Sequence, residues 1–196
     1  MSKANLLDRR AVVAQLLRDR NGAIAVGGLG ASTYDIAAAG DHDRNLYLWG
    51  GMGGAVMIGL GLALAQPTLP VVVITGDGEM LMGMGSLATV GLQKPANLSI
   101  VVLDNEAYGE TGGQVSHTAA SADLVGVAKA CGIKDSRAVS TMAEVEAFAL
   151  SLQDVTTGPR FANAKIDGAN LERVLSSRDG THIVNRIRGS LGHTPI

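Results

Sequence analysis

Short apolar runs of strand length alternate along this chain with longer segments whose apolar residues recur at helical spacing. The short runs carry few polar side chains on either face, which is typical of strands buried in a parallel sheet. They predict strands at residues 23–28, 45–51, 71–75, 98–103 and 160–166. The longer segments predict helices at residues 6–20, 53–66, 80–92, 122–131, 141–152 and 181–191, with a further helix through residues 36–39. This order predicts one α/β domain over residues 1–196, a doubly wound, mainly parallel sheet with helices on both faces.

Four of these helices have unusual surfaces or candidate caps. Residues 53–66 are apolar on nearly every face, which predicts a helix buried between the sheet and a second surface. The N-terminal helix is amphipathic and could lie on the core or on a partner. Ser32 or Thr33 could cap the helix through residues 36–39, and Thr141 with Glu144 three positions later predicts a capping box.

Composition and charge exclude several classes of protein. Hydrophobic residues make up 46% of the 196 residues and aromatic residues only 3%, so aliphatic side chains must fill the core. The net charge of −2, with dispersed Lys and Arg, excludes an electrostatic nucleic-acid surface. One cysteine, Cys131, can form neither an internal disulfide nor a cysteine-rich metal site. The charged N-terminus and the lack of a spanning apolar run of about 20 residues predict a soluble, cytoplasmic protein without a membrane partner.

Glycine-containing turns follow three of the predicted strands, at residues 27–30, 50–53 and 76–78. Each turn alone is weak evidence for a ligand site, because strand-to-helix turns need glycine for steric reasons. The first turn resembles a shortened dinucleotide fingerprint. It lacks the third glycine and the acidic residue about 20 positions later, which argues against a nicotinamide site.

Asp77 and Asn105 form a stronger signal, because each directly follows the end of a buried strand. The carboxyl ends of parallel strands meet at one edge of a sheet, so these side chains can lie together although they are 28 positions apart. A carboxylate and an amide oxygen beside glycine-exposed amides suit a hard cation that holds a phosphate group. The alternative is structural, with Asp77 as a helix cap and Asn105 as a left-handed turn residue.

The GDG turn, followed after about 25 residues by an Asn-containing turn, resembles the signature of thiamine diphosphate-dependent enzymes. The segments LYLWGGMGGAVMIGLGLALAQ, VVVITGDGEMLM and LATVGLQKPANLSIVVLDNEAYGETGGQ are similar to the diphosphate-binding (PP) domain of that family. Within it, the chain resembles the β subunit of sulfopyruvate decarboxylase and the C-terminal half of phosphonopyruvate decarboxylase. The resemblance extends over nearly the whole chain.

The resemblance implies a set of site residues. Asp77, the Asn105 side chain and the Ala107 carbonyl are expected to ligate Mg²⁺, and the amides of Gly78, Tyr108 and Gly109 to approach the diphosphate. The Gly50 carbonyl would accept a hydrogen bond from the 4'-amino group of thiamine diphosphate. The Met52 side chain would hold the cofactor bent. The predicted cofactor-binding set comprises Gly50, Gly51, Met52, Gly76, Asp77, Gly78, Glu79, Asn105, Ala107, Tyr108 and Gly109. Core filling is the alternative for Met52.

The function implied by the resemblance is decarboxylation of a 2-oxo acid, with release of CO₂ and an aldehyde through an enamine. In this family the activating Glu lies in a second (Pyr) domain, which we expect on a separate chain of similar size. We therefore expect a heteromer, α₂β₂ or larger, with the apolar helix at residues 53–66 and the apolar N-terminal face at its interfaces. The alternatives are a 2-oxo acid oxidoreductase subunit, against which the single cysteine argues, and a non-catalytic subunit that retains the fold.

Three positions depart from the family pattern: Glu79, Glu110 and Asp104. Two extra carboxylates near a diphosphate and a substrate are electrostatically unfavourable. We expect the Glu79 and Glu110 side chains to turn to solvent; otherwise the pocket would reject doubly charged substrates, so the substrate need not be sulfopyruvate or phosphonopyruvate. The polar segment 110–121 predicts a mobile loop over the site. It contains His117, which is a weak catalytic candidate and more simply a surface residue.

Overall fold

The computed structural model describes residues 6–196, so the predicted N-terminal helix is described from its first residue. The strands are β1 (Ile24–Gly27), β2 (Asn45–Tyr47), β3 (Val71–Gly76), β4 (Leu98–Asp104), β5 (Ala107–Tyr108), β6 (Gln114–Val115), β7 (Asp135–Val139) and β8 (Arg160–Lys165). The helices are α1 (Arg9–Leu17), α2 (Ala31–Ala38), α3 (Ala55–Ala65), α4 (Asp77–Met82), α5 (Ser86–Gln93), α6 (Leu124–Ala130), α7 (Met142–Ser151) and α8 (Gly180–Ser190). Short 3-10 turns lie at Gly109–Thr111 and His117–Ala119.

Six strands form one sheet in the order β2-β1-β3-β4-β8-β7, and every neighbouring pair is parallel. Strands β5 and β6 form a separate antiparallel hairpin. From β1 the chain leads first to β2 on one side and then to β3 on the other, so the strand order reverses between β1 and β3. In open α/β sheets, ligands bind outside the carboxyl ends of the strands at such a reversal point. The predicted doubly wound α/β class is confirmed.

The helices cover both faces of the sheet and build two apolar clusters. On one face, α1, α2 and α7 pack with side chains such as Val13, Ile36 and Phe148. On the other face, α3, α5 and α6 pack with side chains such as Leu60, Leu87 and Leu124. Helix α8 contributes to both clusters, because Ile183 belongs to the first and Ile187 to the second. Aliphatic residues fill most of this core, as the composition predicts.

The segment predicted as one helix at residues 80–92 is two helices, α4 and α5. The interruption begins at Gly83, where an added Cβ would lie 2.2 Å from the carbonyl oxygen of Gly53. Only a glycine permits the turn before α3 to approach this closely. The tertiary contact therefore overrides the apolar helical pattern.

Helix α2 and strand β7 also differ from the sequence-based prediction. Neither Ser32 nor Thr33 caps α2: both lie inside the helix, whose N-cap is Gly30 with φ of +78°, and the Thr33 hydroxyl donates to the carbonyl of Gly28. Strand β7 was not predicted. It lies at the edge of the sheet, where polar residues such as Arg137 remain exposed and hide the apolar pattern. The predicted capping box of Thr141 and Glu144 at α7 is confirmed.

The sequence predicts apolar faces for α1 and α3 that a partner could cover, and the two helices have different environments in the structure. Helix α1 buries Val12, Val13 and Leu16 in the core of this chain, so the expectation that its apolar face meets a partner is wrong. Helix α3 packs one face on the sheet so closely that a Cβ at Gly59 would lie 2.2 Å from Val73. Its other face leaves Leu64 51% exposed, so the predicted second covering surface stays a prediction.

None of the helices found between residues 6 and 196 is both long and apolar enough to cross a membrane.

Candidate functional site

A cavity of about 440 Å³ lies at the carboxyl ends of β1, β3 and β4. It receives nine of the predicted cofactor-binding residues: Met52, Gly76, Asp77, Gly78, Glu79, Asn105, Ala107, Tyr108 and Gly109. Gly50 and Gly51 do not line it, and both are exposed in the turn before α3. Asp77 and Asn105 thus reach the same cavity, as their positions after parallel strands predict.

Asp77 is the first residue of α4 and is buried, with 1% of its surface exposed. The hydroxyls of Ser116 and Thr118 both donate to its Oδ2 atom, the latter at 3.2 Å. Burial raises the pKa of Asp77, and the nearby Asp104 carboxylate adds to the rise, while the two hydroxyls oppose it. A carboxylate in this environment gains from a nearby cation, which would offset its burial and the repulsion from Asp104.

Asp104 lies beneath the site in a dense polar network. It accepts hydrogen bonds from Thr118 at 2.7 Å and Asn163 at 2.9 Å, and it pairs with the Lys165 ammonium at 2.8 Å. Although burial favours the neutral amine, bonds to Asp104 and Glu106 raise the pKa of Lys165. The Lys165 ammonium therefore offsets the buried charge of the Asp104 carboxylate.

Thr118 joins the ends of β3 and β4, because its hydroxyl reaches both Asp77 and Asp104. It belongs to the polar segment 110–121, which contains strand β6 and most of two 3-10 turns and which buries Ser116. No sequence signal indicates that the Ser116 and Thr118 hydroxyls donate to Asp77, since Ser and Thr are common in any surface loop. The mobility of this segment stays a prediction.

The turn after β4 supplies Asn105 and Ala107 to the cavity wall. The Asn105 side-chain oxygen accepts from the Ala107 amide at 3.1 Å, which is an Asx turn. Tyr108 packs so closely on Gly78 that a Cβ there would lie 2.6 Å from its ring. A Cβ added at Gly76 would meet nothing within 4 Å, and one at Gly109 would meet only the Asn105 amide nitrogen, at 4.0 Å. These two glycines widen the cavity beside the polar groups.

Glu79 does not turn to solvent, so the expectation for this residue is wrong. Its side chain is buried and accepts hydrogen bonds from the Thr75 hydroxyl at 2.7 Å, the Leu29 amide at 2.8 Å and the Gly53 amide at 3.3 Å. These donors stabilise its charge inside the protein. Glu110 is 40% exposed but also lines the cavity, 3.5 Å from Arg173, so it does not turn wholly to solvent as expected.

His117 is exposed and does not line the cavity. Its Nδ1 atom lies 3.1 Å from the Tyr108 hydroxyl. The histidine is thus linked to a residue of the cavity wall without reaching the cavity itself, which favours the surface interpretation over a catalytic one.

Part of the cavity wall has no counterpart in the sequence-based prediction. Arg9 of α1 and Asp35 of α2 form a buried ion pair of 2.6 Å that lines it. Burial raises the pKa of Asp35, although Arg9 and Arg10 oppose the rise. The segment after β8 supplies Asn170, Leu171, Glu172 and Arg173. No sequence signal marks these residues, because tertiary packing alone brings α1 and this segment to the site.

Oxygen atoms are the ligands that the cavity offers to a cation. Within residues 6–196, no group of three or more His, Cys, Asp or Glu side chains is arranged to hold a metal ion. Three residues of the cavity wall could supply a donor set of another kind, with one charge and two neutral oxygens, from the Asp77 carboxylate, the Asn105 amide and the Ala107 carbonyl. Such a set suits Mg²⁺, which commonly binds one or two carboxylates and completes its shell with substrate phosphates.

Residues 25–161 match the family described as "Thiamine pyrophosphate enzyme, C-terminal TPP binding domain". The chain is 40% identical over 162 residues to a phosphonopyruvate decarboxylase from Streptomyces viridochromogenes, an alignment that covers 82% of this chain and 39% of that protein. It is 36% identical over 169 residues to sulfopyruvate decarboxylase subunit beta from Methanococcus maripaludis, covering 86% of this chain and 90% of the subunit.

A solved structure of benzoylformate decarboxylase from Polynucleobacter necessarius is also similar, with a TM-score of 0.68 and 23% identity over 86% of this chain and 34% of that one. At this identity the likeness supports the fold alone. The family match includes the turns after β1, β2, β3 and β4, which surround the cavity. This chain therefore belongs to the family of thiamine pyrophosphate enzymes that share the C-terminal TPP binding domain.

Proposed function

We propose that this chain is the thiamine diphosphate- and Mg²⁺-binding subunit of a heteromeric 2-oxo acid decarboxylase. The observation that carries the proposal is the convergence of Asp77, Asn105 and Ala107 on one cavity, in a chain of the thiamine pyrophosphate enzyme family. Relatives named phosphonopyruvate decarboxylase and sulfopyruvate decarboxylase subunit beta support the reaction class.

The charge of the cavity supports a metal. Five carboxylate side chains and three guanidinium groups line it, so the wall carries excess negative charge. An anionic diphosphate would be repelled by such a wall unless a cation bridged the two. We assign this cation as Mg²⁺, held by Asp77, Asn105 and Ala107, with the Gly78, Tyr108 and Gly109 amides directed at the diphosphate.

The turn before α3 would receive the other end of the cofactor. Met52 lines the cavity and would keep the cofactor bent, while the Gly50 carbonyl would accept from its 4'-amino group. When bound, thiamine diphosphate supplies the electron sink for cleavage of the bond next to a carbonyl group. The residues of this chain bind and orient the cofactor, and Tyr108 packs tightly on Gly78 in the cavity wall.

The exposed face of α3 supports a partner subunit. Met57, Ile58 and Leu64 are 44%, 37% and 51% exposed, and Met82 of α4 is 67% exposed. Large exposed apolar groups on one surface mark interaction sites. We propose that a Pyr-domain subunit of similar size covers this surface, supplies the activating Glu and completes an α₂β₂ or larger assembly. The cytoplasm is the proposed location.

Calorimetry tests the cofactor assignment. The full chain, assembled with its Pyr-domain subunit, is titrated with thiamine diphosphate in the presence and absence of Mg²⁺. We expect Mg²⁺-dependent binding that Asp77→Ala weakens at least a hundredfold, whereas Asp43→Ala at an exposed position leaves it unchanged. Equal binding by the Asp77→Ala variant would contradict the metal assignment.

An assay for released CO₂ tests the reaction class, with sulfopyruvate, phosphonopyruvate and pyruvate as substrates. Decarboxylation without an added electron acceptor supports a lyase. Release of CO₂ only with an acceptor would indicate an oxidoreductase, and binding without turnover would indicate a non-catalytic subunit. High activity on sulfopyruvate or phosphonopyruvate would contradict the hypothesis that the substrate is neither of these two acids.

A further inference from the structure

The Glu79 carboxylate joins three separate chain segments at the point where the strand order reverses. Its Oε2 atom accepts from the Leu29 amide, in the turn after β1, and from the Thr75 hydroxyl on β3. Its Oε1 atom accepts from the Gly53 amide, in the turn before α3. One side chain of α4 therefore fixes the relative positions of two glycine-containing turns and the end of a central strand.

The surrounding backbone is shaped to admit this carboxylate. A Cβ added at Gly28 would lie 2.0 Å from Glu79 Oε2, so only glycine can stand beside it. Gly51 and Gly53 both have positive φ angles, +72° and +88°. Glycine adopts positive and negative φ angles about equally readily, so its backbone does not by itself hold the turn before α3 in one conformation. The hydrogen bond from Gly53 to Glu79 supplies a restraint that the glycine backbone itself does not.

A carboxylate suits this position better than any neutral side chain. All three partners are donors, two N–H groups and one O–H group, and the two oxygens of Glu79 accept all of them. A glutamine amide has one oxygen and one NH₂ group, so it would direct its NH₂ either at the Gly53 amide or at the other two donors. That arrangement leaves a buried donor unpaired and pushes one of the turns away.

We propose that Glu79 is a positioning residue that holds the turn at residues 50–53 in the conformation needed to receive the pyrimidine end of the cofactor. This inference rests on the proposed function, because that turn carries Gly50 and Met52. Glu79 acts through the Gly53 and Leu29 amides and is a ligand of neither the metal nor the diphosphate, and its three donors already stabilise its charge. Its loss should therefore weaken binding of the whole cofactor and spare binding of the diphosphate alone.

Two ligands separate these effects in the full chain assembled with its Pyr-domain subunit. Calorimetry with Mg²⁺ measures the Kd of thiamine diphosphate and the Kd of inorganic diphosphate. For Glu79→Gln we expect at least about tenfold weaker thiamine diphosphate binding, with inorganic diphosphate within about twofold of the unsubstituted protein. Glu146→Gln removes the same charge from an exposed position on α7, outside the cavity, and should change neither constant.

A second variant tests the same network should Glu79→Gln fail to fold. Thr75→Val removes one donor at nearly constant volume and keeps the Glu79 charge, and we expect a smaller selective loss of about threefold for thiamine diphosphate. Wild-type thiamine diphosphate affinity in Glu79→Gln, or equal loss of both ligands, would overturn the inference. If Glu79→Gln does not fold, an unchanged thiamine diphosphate affinity in the Thr75→Val variant would also overturn the inference. If the unsubstituted complex binds neither ligand, the proposed function itself fails.

Discussion

Gly83 packs directly against Gly53, so that a Cβ on Gly83 would lie 2.2 Å from the Gly53 carbonyl oxygen. This contact separates α4 from α5 and holds the turn before α3 against the end of α4. Glu79, four residues before Gly83, reaches the same turn through the Gly53 amide. The turn that carries Met52 is therefore held both by packing and by a hydrogen bond.

The Gly83→Ala substitution tests this packing. The added methyl group meets backbone atoms, which cannot rotate away, so we expect a loss of about 1–3 kcal/mol in the free energy of unfolding. Urea denaturation of the full chain measures it. Gly85→Ala is the matched control, because a Cβ there meets nothing within 4 Å and its φ is −58°. The control should be neutral or slightly stabilising, and an equal loss in both variants would contradict the packing argument.

A charge on the exposed face of α3 should disrupt the proposed partner interface. For Leu64→Glu we expect at least about tenfold weaker association with the Pyr-domain subunit, because a carboxylate would be buried against apolar surface. The free energy of unfolding of the isolated chain should change by only about 0.5 kcal/mol. Sedimentation of mixtures at several concentrations measures the association.

Leu150→Glu is the control for this interface. Leu150 is 71% exposed on α7, which packs on the opposite face of the sheet. If both substitutions weaken association equally, or if neither weakens it, α3 is not the contact surface.

The buried Tyr47 predicts a loss of stability at alkaline pH. Its hydroxyl donates to Asp41 and accepts from Asn45, both at 2.8 Å, and burial raises the pKa of Tyr47 to about 12 from 10.0. Between these values the unfolded chain ionises at this residue and the folded chain does not. Stability therefore falls as pH rises through that window, by roughly 2–3 kcal/mol from this group.

Unfolding in urea at pH 8, 10 and 11 measures this contribution through Tyr47→Phe. At pH 8 the variant should be less stable by about 1 kcal/mol, because two hydrogen bonds are lost. The difference between the two proteins should shrink as pH rises, since phenylalanine does not ionise. A difference that stays constant across this range would contradict the assigned shift.

The sequence predicted the parts of this protein that depend on local pattern. Buried strands such as β3 and β4 read as continuous apolar runs because both of their faces are covered, and the Thr141 capping box needs only two residues at a fixed spacing. Asp77 and Asn105 could be brought together from sequence because parallel strands end at a common edge. The fold class, the family and nine of the residues that line the cavity follow from these features.

Contacts between distant segments decided the rest. The break at Gly83 depends on Gly53, and the inward direction of Glu79 depends on donors from three segments, so neither is encoded by neighbouring residues. The same holds for the Arg9 and Asp35 ion pair at the cavity. Sequence alone determined which strands end at the site, because that is a property of apolar periodicity and chain order. Only the tertiary structure decided which polar side chains face inward there, because burial of a charge depends on partners that the fold brings from elsewhere.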